Sequence, residues 1–257
     1  MKNSLPRKRS RRIGSRSQSE EARPVRTPII PVAVLLGFNG GFVDTAGFLG
    51  LQGLFTSHVT GNFVTLAASL VLGLTGAITK LLAIPVFITV VALARLIGNR
   101  LADSGRPPVP RLLIGQTLLL FVFFVLATVL GPFPDGDTLP AVITGIVGVM
   151  AMSIQNAVQR IHLASEPPTT ILTGTTTQFA IDLADRLSGR ASLAGEAARK
   201  RFHALLRAIL SFGAGSMAAA ASYHFVGLRC LAVAVAVTAF IALLKAHEPP
   251  QETGMLM

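Results

Sequence analysis

The sequence predicts an all-α polytopic membrane protein: six transmembrane helices plus two re-entrant or broken helical segments, arranged as a 3+3 inverted repeat. Three observations predict it. Charge is scarce, apolar runs of membrane length recur, and a Thr-Gly step appears twice in matching context. Apolar residues make up 51% of the chain, mean hydropathy is +0.61 and charged residues are 14%. A soluble domain carries roughly a quarter charged residues.

The elements follow in order. Residues 1–28 form a basic tail with nine Lys or Arg against two Glu, which supplies +7 of the net +11. A basic tail beside a first membrane helix acts as an orientation signal and attracts anionic lipid headgroups. This distribution argues against nucleic-acid binding. The twin arginine in Ser10–Ser15 lies far from the apolar run, and no small-x-small cleavage site follows, so the first helix reads as uncleaved.

Apolar runs then occur at Ile29–Leu51, Leu81–Leu101, Leu112–Gly131, Leu139–Gln159, Ala204–Phe225 and Leu228–Leu244. Each matches a hydrocarbon core of roughly 30 Å at about 1.5 Å per residue. Two shorter segments, Thr60–Leu74 and Thr173–Leu187, are ambiguous.

Charge counting separates the topologies. With both short segments crossing, 17 Lys and Arg fall inside and 6 outside, and the acidic Pro132–Asp137 loop faces the cytoplasm. With both dipping in and leaving on the same side, the count is 21 inside and 2 outside (Lys80 and Arg229), and Asp135 and Asp137 face out. The second arrangement obeys the positive-inside bias. It divides the chain into the tail 1–28, a first repeat 29–131, a second repeat 139–245 and a short tail 246–257, with both termini cytoplasmic. The two repeats then have opposite orientation, as in many transporters.

Weak sequence matches support the repeat. Thr60-Gly61-Asn62 aligns with Thr173-Gly174-Thr175 at an offset of 113, and Asp44 aligns with Asn156 at 112. A Thr before Gly suits a helix N-cap. The two steps therefore predict short helices whose N-terminal ends meet near the midplane, with free N–H groups suited to an anionic solute. The plainer reading is that Thr60, Asn62, Thr173 and Thr175 only cap and cross-link helices.

Asp44 lies some fifteen residues into the first span. Intramembrane acids face the bundle interior and mark ion or proton pathways by default. The alternative is a packing acid that pairs with Asn39, Asn156 or Gln155. His58 and His162 each precede a Thr-Gly segment and are candidates for a gate or proton relay; interfacial histidines without such roles are commoner. Asp182 and Asp185 precede Arg186 and Arg190 and read as a salt-bridged cytoplasmic helix end. Ser211, Gly215 and Ala219 make a small-residue packing stripe. The lone Cys230 has no partner for a disulfide, and the histidines form no metal cluster. No HExxH, P-loop, GxSxG or dinucleotide motif is present, so neither an enzyme nor a cofactor is expected.

The motifs Asp44-Thr45-Ala46-Gly47-Phe48, Gly53-Leu54-Phe55, Thr60-Gly61-Asn62, Gln155-Asn156-Ala157, Thr169-Thr170 and Thr173-Gly174-Thr175 resemble those of the YoaK family of bacterial membrane proteins. The resemblance covers about residues 30–245. It implies a six-span inner-membrane protein and no established substrate.

The functional expectation is a small-solute transporter or channel with a central site between the Thr-Gly segments. Asp44 is the coupling group, and Thr60, Gly61, Asn62, Gln155, Asn156, Thr173, Gly174 and Thr175 line the pathway. The expected partners are the lipid bilayer, anionic headgroups on the tail, a small anionic solute and a second copy of the chain. The rival expectation is a non-transporting assembly or sensor component.

Overall fold

The computed structural model describes residues 31–164, 167, 172–189 and 195–247. The basic tail, Thr169-Thr170, Arg190 and nearly all of the 246–257 tail lie outside the described residues.

The described residues are helical, with no strand among them. They form α1 (Val32–Gly50), α2 (Gly61–Leu72), α3 (Ala77–Asp103), α4 (Pro108–Leu130), α5 (Leu139–His162), α6 (Leu172–Leu187), α7 (Gly195–Val226) and α8 (Leu231–Ala246), with a 3₁₀ turn at Gly227–Cys230 between the last two. The helix ends follow local chemistry. Proline in the first turns of α4 and α5 costs no internal hydrogen bond, and α2 stops at Gly73 in the left-handed conformation.

Among the described residues, five helical runs are long and apolar enough to cross a membrane: Val32–Gly50, Ala77–Asp103, Pro108–Leu130, Leu139–His162 and Gly195–Ala246. The chain is a multi-pass membrane protein. The last run is a hairpin of two arms. Near its start Arg207 and Ala208 lie beside Pro31 and Val34, Leu228 meets Gly50, and Ile241 and Ala242 return to the Val32 and Leu36 cluster. Two boundaries differ from expectation. α7 begins at Gly195, well before Ala204, and Leu228–Cys230 belong to the turn rather than to the final helix.

Large apolar side chains line the outside, among them Val129 and Leu70. Hydrocarbon is the solvent that tolerates this surface. Inside, α1 packs along α7 and α8, α5 along α3 and α4, and α4 along α8; α2 rests on α3 and α6 on α7. α1 and α7 run parallel, with Phe38 against Gly215 and Leu49 against Tyr223. α3 and α5 also run parallel, Thr79 meeting Gly145 and Gly98 meeting His162. α4 opposes α5, with Gln116 on Gln155 and Phe123 on Gly148.

Close approach makes the α1–α7 contact. A Cβ at Gly41 would strike the Phe212 carbonyl, and one at Gly215 would strike that of Phe38. Ser211, Gly215 and Ala219 are all buried, as the small-residue stripe predicts.

The bundle has two chemically different ends. One carries Arg95, Arg100, Arg106, Arg111, Arg160, Arg207 and Lys245; the other carries Lys80 and Arg229 with the 131–138 loop. That loop is tied down by side chains. Gln52 Nε2 donates to the carbonyls of Phe133 (2.9 Å) and Pro134 (3.3 Å), while the N–H groups of Gly76 (2.9 Å) and Ile78 (2.8 Å) donate to the Asp137 carboxylate.

Candidate functional site around Asp44

Gln52 and Gly76 touch: a Cβ on Gly76 would lie 3.2 Å from Gln52 Cβ. The 23 residues between them therefore leave one end of the bundle and return to it. The inbound arm is irregular chain and the outbound arm is α2. Its turn reaches the level of Asp44, six residues and about 9 Å back from the end of α1.

Asp44 is 4% exposed and collects its donors from the inbound arm. Ser57 N–H donates to Oδ1 at 2.7 Å, His58 N–H to Oδ2 at 3.2 Å, and the Thr56 hydroxyl to Oδ1 at 3.4 Å. Successive backbone N–H groups around one carboxylate make an anion-binding concavity. Here the anion is the protein's own side chain.

Asn62, fully buried, braces the turn from the other arm. Its Oδ1 accepts from Phe55 N–H at 2.9 Å, and its Nδ2 donates to Phe55 O at 2.8 Å. Asn156 of α5 reaches the same loop, its Nδ2 donating to Ser57 O at 3.5 Å and to Met152 O at 2.9 Å. Lys80, itself buried, closes the outbound arm by donating to Ser69 Oγ at 2.7 Å and Thr75 O at 3.4 Å.

Deeper along α1, Gln155 joins three helices. Its Oε1 accepts from Asn39 Nδ2 (2.8 Å) and Gln116 Nε2 (2.7 Å), and its Nε2 donates to Leu36 O (2.9 Å). Among the described residues the buried Asn39 Oδ1, Gln116 Oε1 and Ser57 Oγ have no hydrogen-bond partner. Ser57 Oγ sits on the residue that binds Asp44.

Thr60 occupies the N-cap position of α2, but its side chain makes no capping bond and is exposed. The first N–H groups of α2 are not free for a solute either. Those of Gly61, Asn62 and Phe63 donate to the carbonyls of His58, Val59 and Thr60 in tight turns. The argument for an anion at that helix end thus loses its donors. The N–H groups that do meet an anion lie earlier, at Ser57 and His58.

The second Thr-Gly step lies elsewhere. α6 packs on α7, and α2 packs on α3, so the two steps share no contact. Thr173 is exposed, Gly174 has nothing within 4 Å of an added Cβ, and Thr175 is buried. α6 lies beside the start of α7, stacking Phe179 on Phe202 with centroids 4.8 Å apart. Asp182 pairs with Arg201 in two-pronged fashion (2.8 and 3.0 Å) rather than with Arg186. Arg186 lies over the Phe202 ring at 4.1 Å instead. Burial pushes the Asp182 carboxyl upward, but the hydrogen bonds from Arg201 and Gln178 outweigh it and hold the group below its ordinary value.

The two histidines are far apart in role. His58 lies in the loop at Asp44, its ring 5.7 Å from that of Phe55. His162 closes the opposite end of α5, near Gly98, and its Nε2 is buried with no partner among the described residues. Sequence reasoning missed Ser57, Thr56 and the clamp on Phe55. The run of polar residues at 56–58 was the available signal.

No curated protein matches the chain, and no solved structure does. A family model described as protein of unknown function (DUF1275) matches residues 32–244. That span covers the whole described bundle from the first turn of α1 to the last turn of α8, together with Asp44 and its loop; the chain belongs to this family, to which the YoaK proteins also belong.

Proposed function

We propose that the chain is a secondary transporter or channel for a small solute in the bacterial cytoplasmic membrane, with Asp44 as its coupling group. One observation carries the reading. A buried carboxylate inside a crossing helix holds the tip of a segment that dips into the bundle and returns to the same end. A polar loop held at that depth has its backbone satisfied only by such built-in partners.

The chemistry is that of a latch. Ionised Asp44 is an acceptor only and binds the Ser57 and His58 N–H groups strongly. Taking up a proton removes the charge those groups hold, and the tip is released. Ser57 Oγ, unpartnered beside it, and the Thr56 hydroxyl are then the polar atoms beside Asp44 for a solute or water. His58 is the adjacent titratable ring and the candidate relay. Asn62 and Asn156 set the loop's position, and Gln155 joins the helices beneath it.

The architecture supports six crossings (α1, α3, α4, α5, α7 and α8) in an inverted repeat. Equating α1–α4 with α5–α8, every major contact has its counterpart. α3 lies on α5 as α7 lies on α1, α4 on α5 as α8 on α1, and α2 on α3 as α6 on α7. The charge difference between the ends supports cytoplasmic termini. The site is centred on the first dip alone, because the second Thr-Gly segment does not reach it.

A second reading is an assembly or sensor component without flux. It is favoured by the satisfaction of the Asp44 carboxylate by the protein's own donors, which is also what a purely structural anchor requires. The test is solute-driven proton movement in vesicles containing the full chain and a trapped pH dye, comparing wild type with Asp44→Asn over a panel of small solutes. Transport predicts a signal that Asp44→Asn abolishes with the chain still inserted. An undiminished signal removes Asp44 from the mechanism. Absence of any signal in wild type, with a partner recovered on gentle solubilisation, supports the second reading.

A further inference from the structure

At the end of the bundle that carries Arg229, a cleft of about 460 Å³ opens between the ends of α1, α4 and α7. It meets the Asp44 loop only at Gln52, where the dipping segment starts. Its size falls within the roughly 300–1,000 Å³ range of small-molecule sites. Leu49 and Phe133 give it apolar wall; Gln52, Thr128, Tyr223 and Arg229 give it polar wall.

The polar groups are not equally available. Gln52 already donates to the 131–138 loop, the Thr128 hydroxyl to Phe124 O (2.8 Å), and the Tyr223 hydroxyl to Leu49 O (3.3 Å). Arg229 alone has neither a carboxylate nor a hydrogen-bond acceptor among the described residues. The acids nearest in sequence on this end are engaged: Asp137 accepts from Gly76 and Ile78, and Asp135 from Asp137 N–H. A guanidinium presents a rigid fork that matches phosphate or carboxylate.

The cleft also attracts the opposite charge. Of the helices that end on it, α1 has its last carbonyls engaged, Gly47 O by Leu51 N–H, Phe48 O by Gly53 N–H and Leu49 O by Tyr223, and α7 runs on into the 3₁₀ turn. α4 ends at Leu130, and a helix C-terminus carries partial negative charge and unpaired carbonyls. No backbone N–H caps its end at Gly131, and the following Pro132 has none to give. One wall therefore suits an ammonium and the facing arginine an oxyanion.

We propose that this cleft binds a zwitterion with an apolar body, its phosphate or carboxylate on Arg229 and its ammonium on the uncapped carbonyl end of α4. The apolar wall favours a phospholipid carrying an ethanolamine-type head over a free small zwitterion. A bare interfacial arginine would take any anionic lipid equally, so headgroup selectivity separates the two.

The experiment is native mass spectrometry of the full chain in detergent, titrated with dioctanoyl-phosphatidylethanolamine, with dioctanoyl-phosphatidylglycerol and with phosphoethanolamine. The expected result is retention of the ethanolamine lipid over the glycerol lipid, weakened about tenfold by Arg229→Gln. Val226→Trp, which fills the cleft from an exposed position and keeps the arginine, is expected to weaken it likewise. Equal retention of phosphoethanolamine assigns the same site to a soluble zwitterion. Equal retention of the glycerol lipid overturns the proposal, as does binding unchanged in both variants.

Discussion

Asp44 and Asn156 hold the two sides of one residue: the carboxylate of Asp44 accepts the N–H of Ser57 at 2.7 Å, and the amide of Asn156 donates to its carbonyl at 3.5 Å. These are the residues that align between the two halves of the sequence. The aligned pair therefore meets on one loop, where an acid takes the donor and an amide supplies the acceptor's partner.

The two asparagines at this loop differ in what they hold. Asn62→Leu removes both bonds to the Phe55 backbone and leaves its half-buried N–H and C=O unmatched, at up to about 1–3 kcal/mol each. Asn156→Leu removes one long bond to the loop. Amide hydrogen exchange over residues 55–61 is expected to accelerate strongly in the first variant and only a few-fold in the second. Equal effects would mean that Asn62 does not brace the turn.

The α1–α7 contact makes a prediction with an internal control. Gly215→Leu drives a side chain into the Phe38 carbonyl, whereas Gly213→Leu, on the same helix, enters open space. Thermal unfolding in detergent should show at least about 1–3 kcal/mol lost in the first variant. The second should stay close to wild type.

Asp182 gives the docking of α6 a defined pH dependence. Its carboxyl is held below the ordinary range, so its pairing with Arg201 is fully present above the unfolded value of about 3.9. The pairing is lost as pH falls through the lower, folded value. Proteolytic protection of residues 172–187 is expected to persist through mildly acidic pH and to fail beneath the ordinary carboxylate range. Arg201→Gln should weaken protection at neutral pH and flatten that dependence.

Topology is open to labelling once the buried Cys230 is replaced by alanine. Single cysteines at 78 and 135 lie at the Arg229 end and one at 195 at the arginine-rich end, all at exposed positions. A membrane-impermeant maleimide on intact cells should label the first two and spare the third. Labelling of 195 would reverse the orientation proposed here.

The apolar runs and the small-residue stripe were legible because both reflect one-dimensional patterns: run length sets what can cross, and i, i+4 spacing sets a helix face. Asp44 was legible as an oddity, since lipid makes any intramembrane acid conspicuous. Its partners were not, because they come from the irregular arm at 56–58, where backbone N–H groups rather than side chains bind and the residue types say little. The placement of α6 failed for a related reason. Thr173-Gly174 has the letters of Thr60-Gly61, but the position of a short amphipathic helix is decided by what it packs on. Phe179, Asp182 and Arg186 fasten it to the start of α7. Arg201 and Phe202 lie beyond the intervening loop, outside any local pattern.

The interleaving of the halves has a consequence for biosynthesis. α3 finds its main neighbour in α5, and α1 finds its own in α7. During synthesis from the amino end, α1 therefore enters the bilayer long before its lasting partner exists. The carboxylate of Asp44 cannot wait that long in hydrocarbon, and the donors that shelter it are made within the next fourteen residues. The dipping loop thus serves as a built-in chaperone for a buried acid that the rest of the fold reaches only at the end.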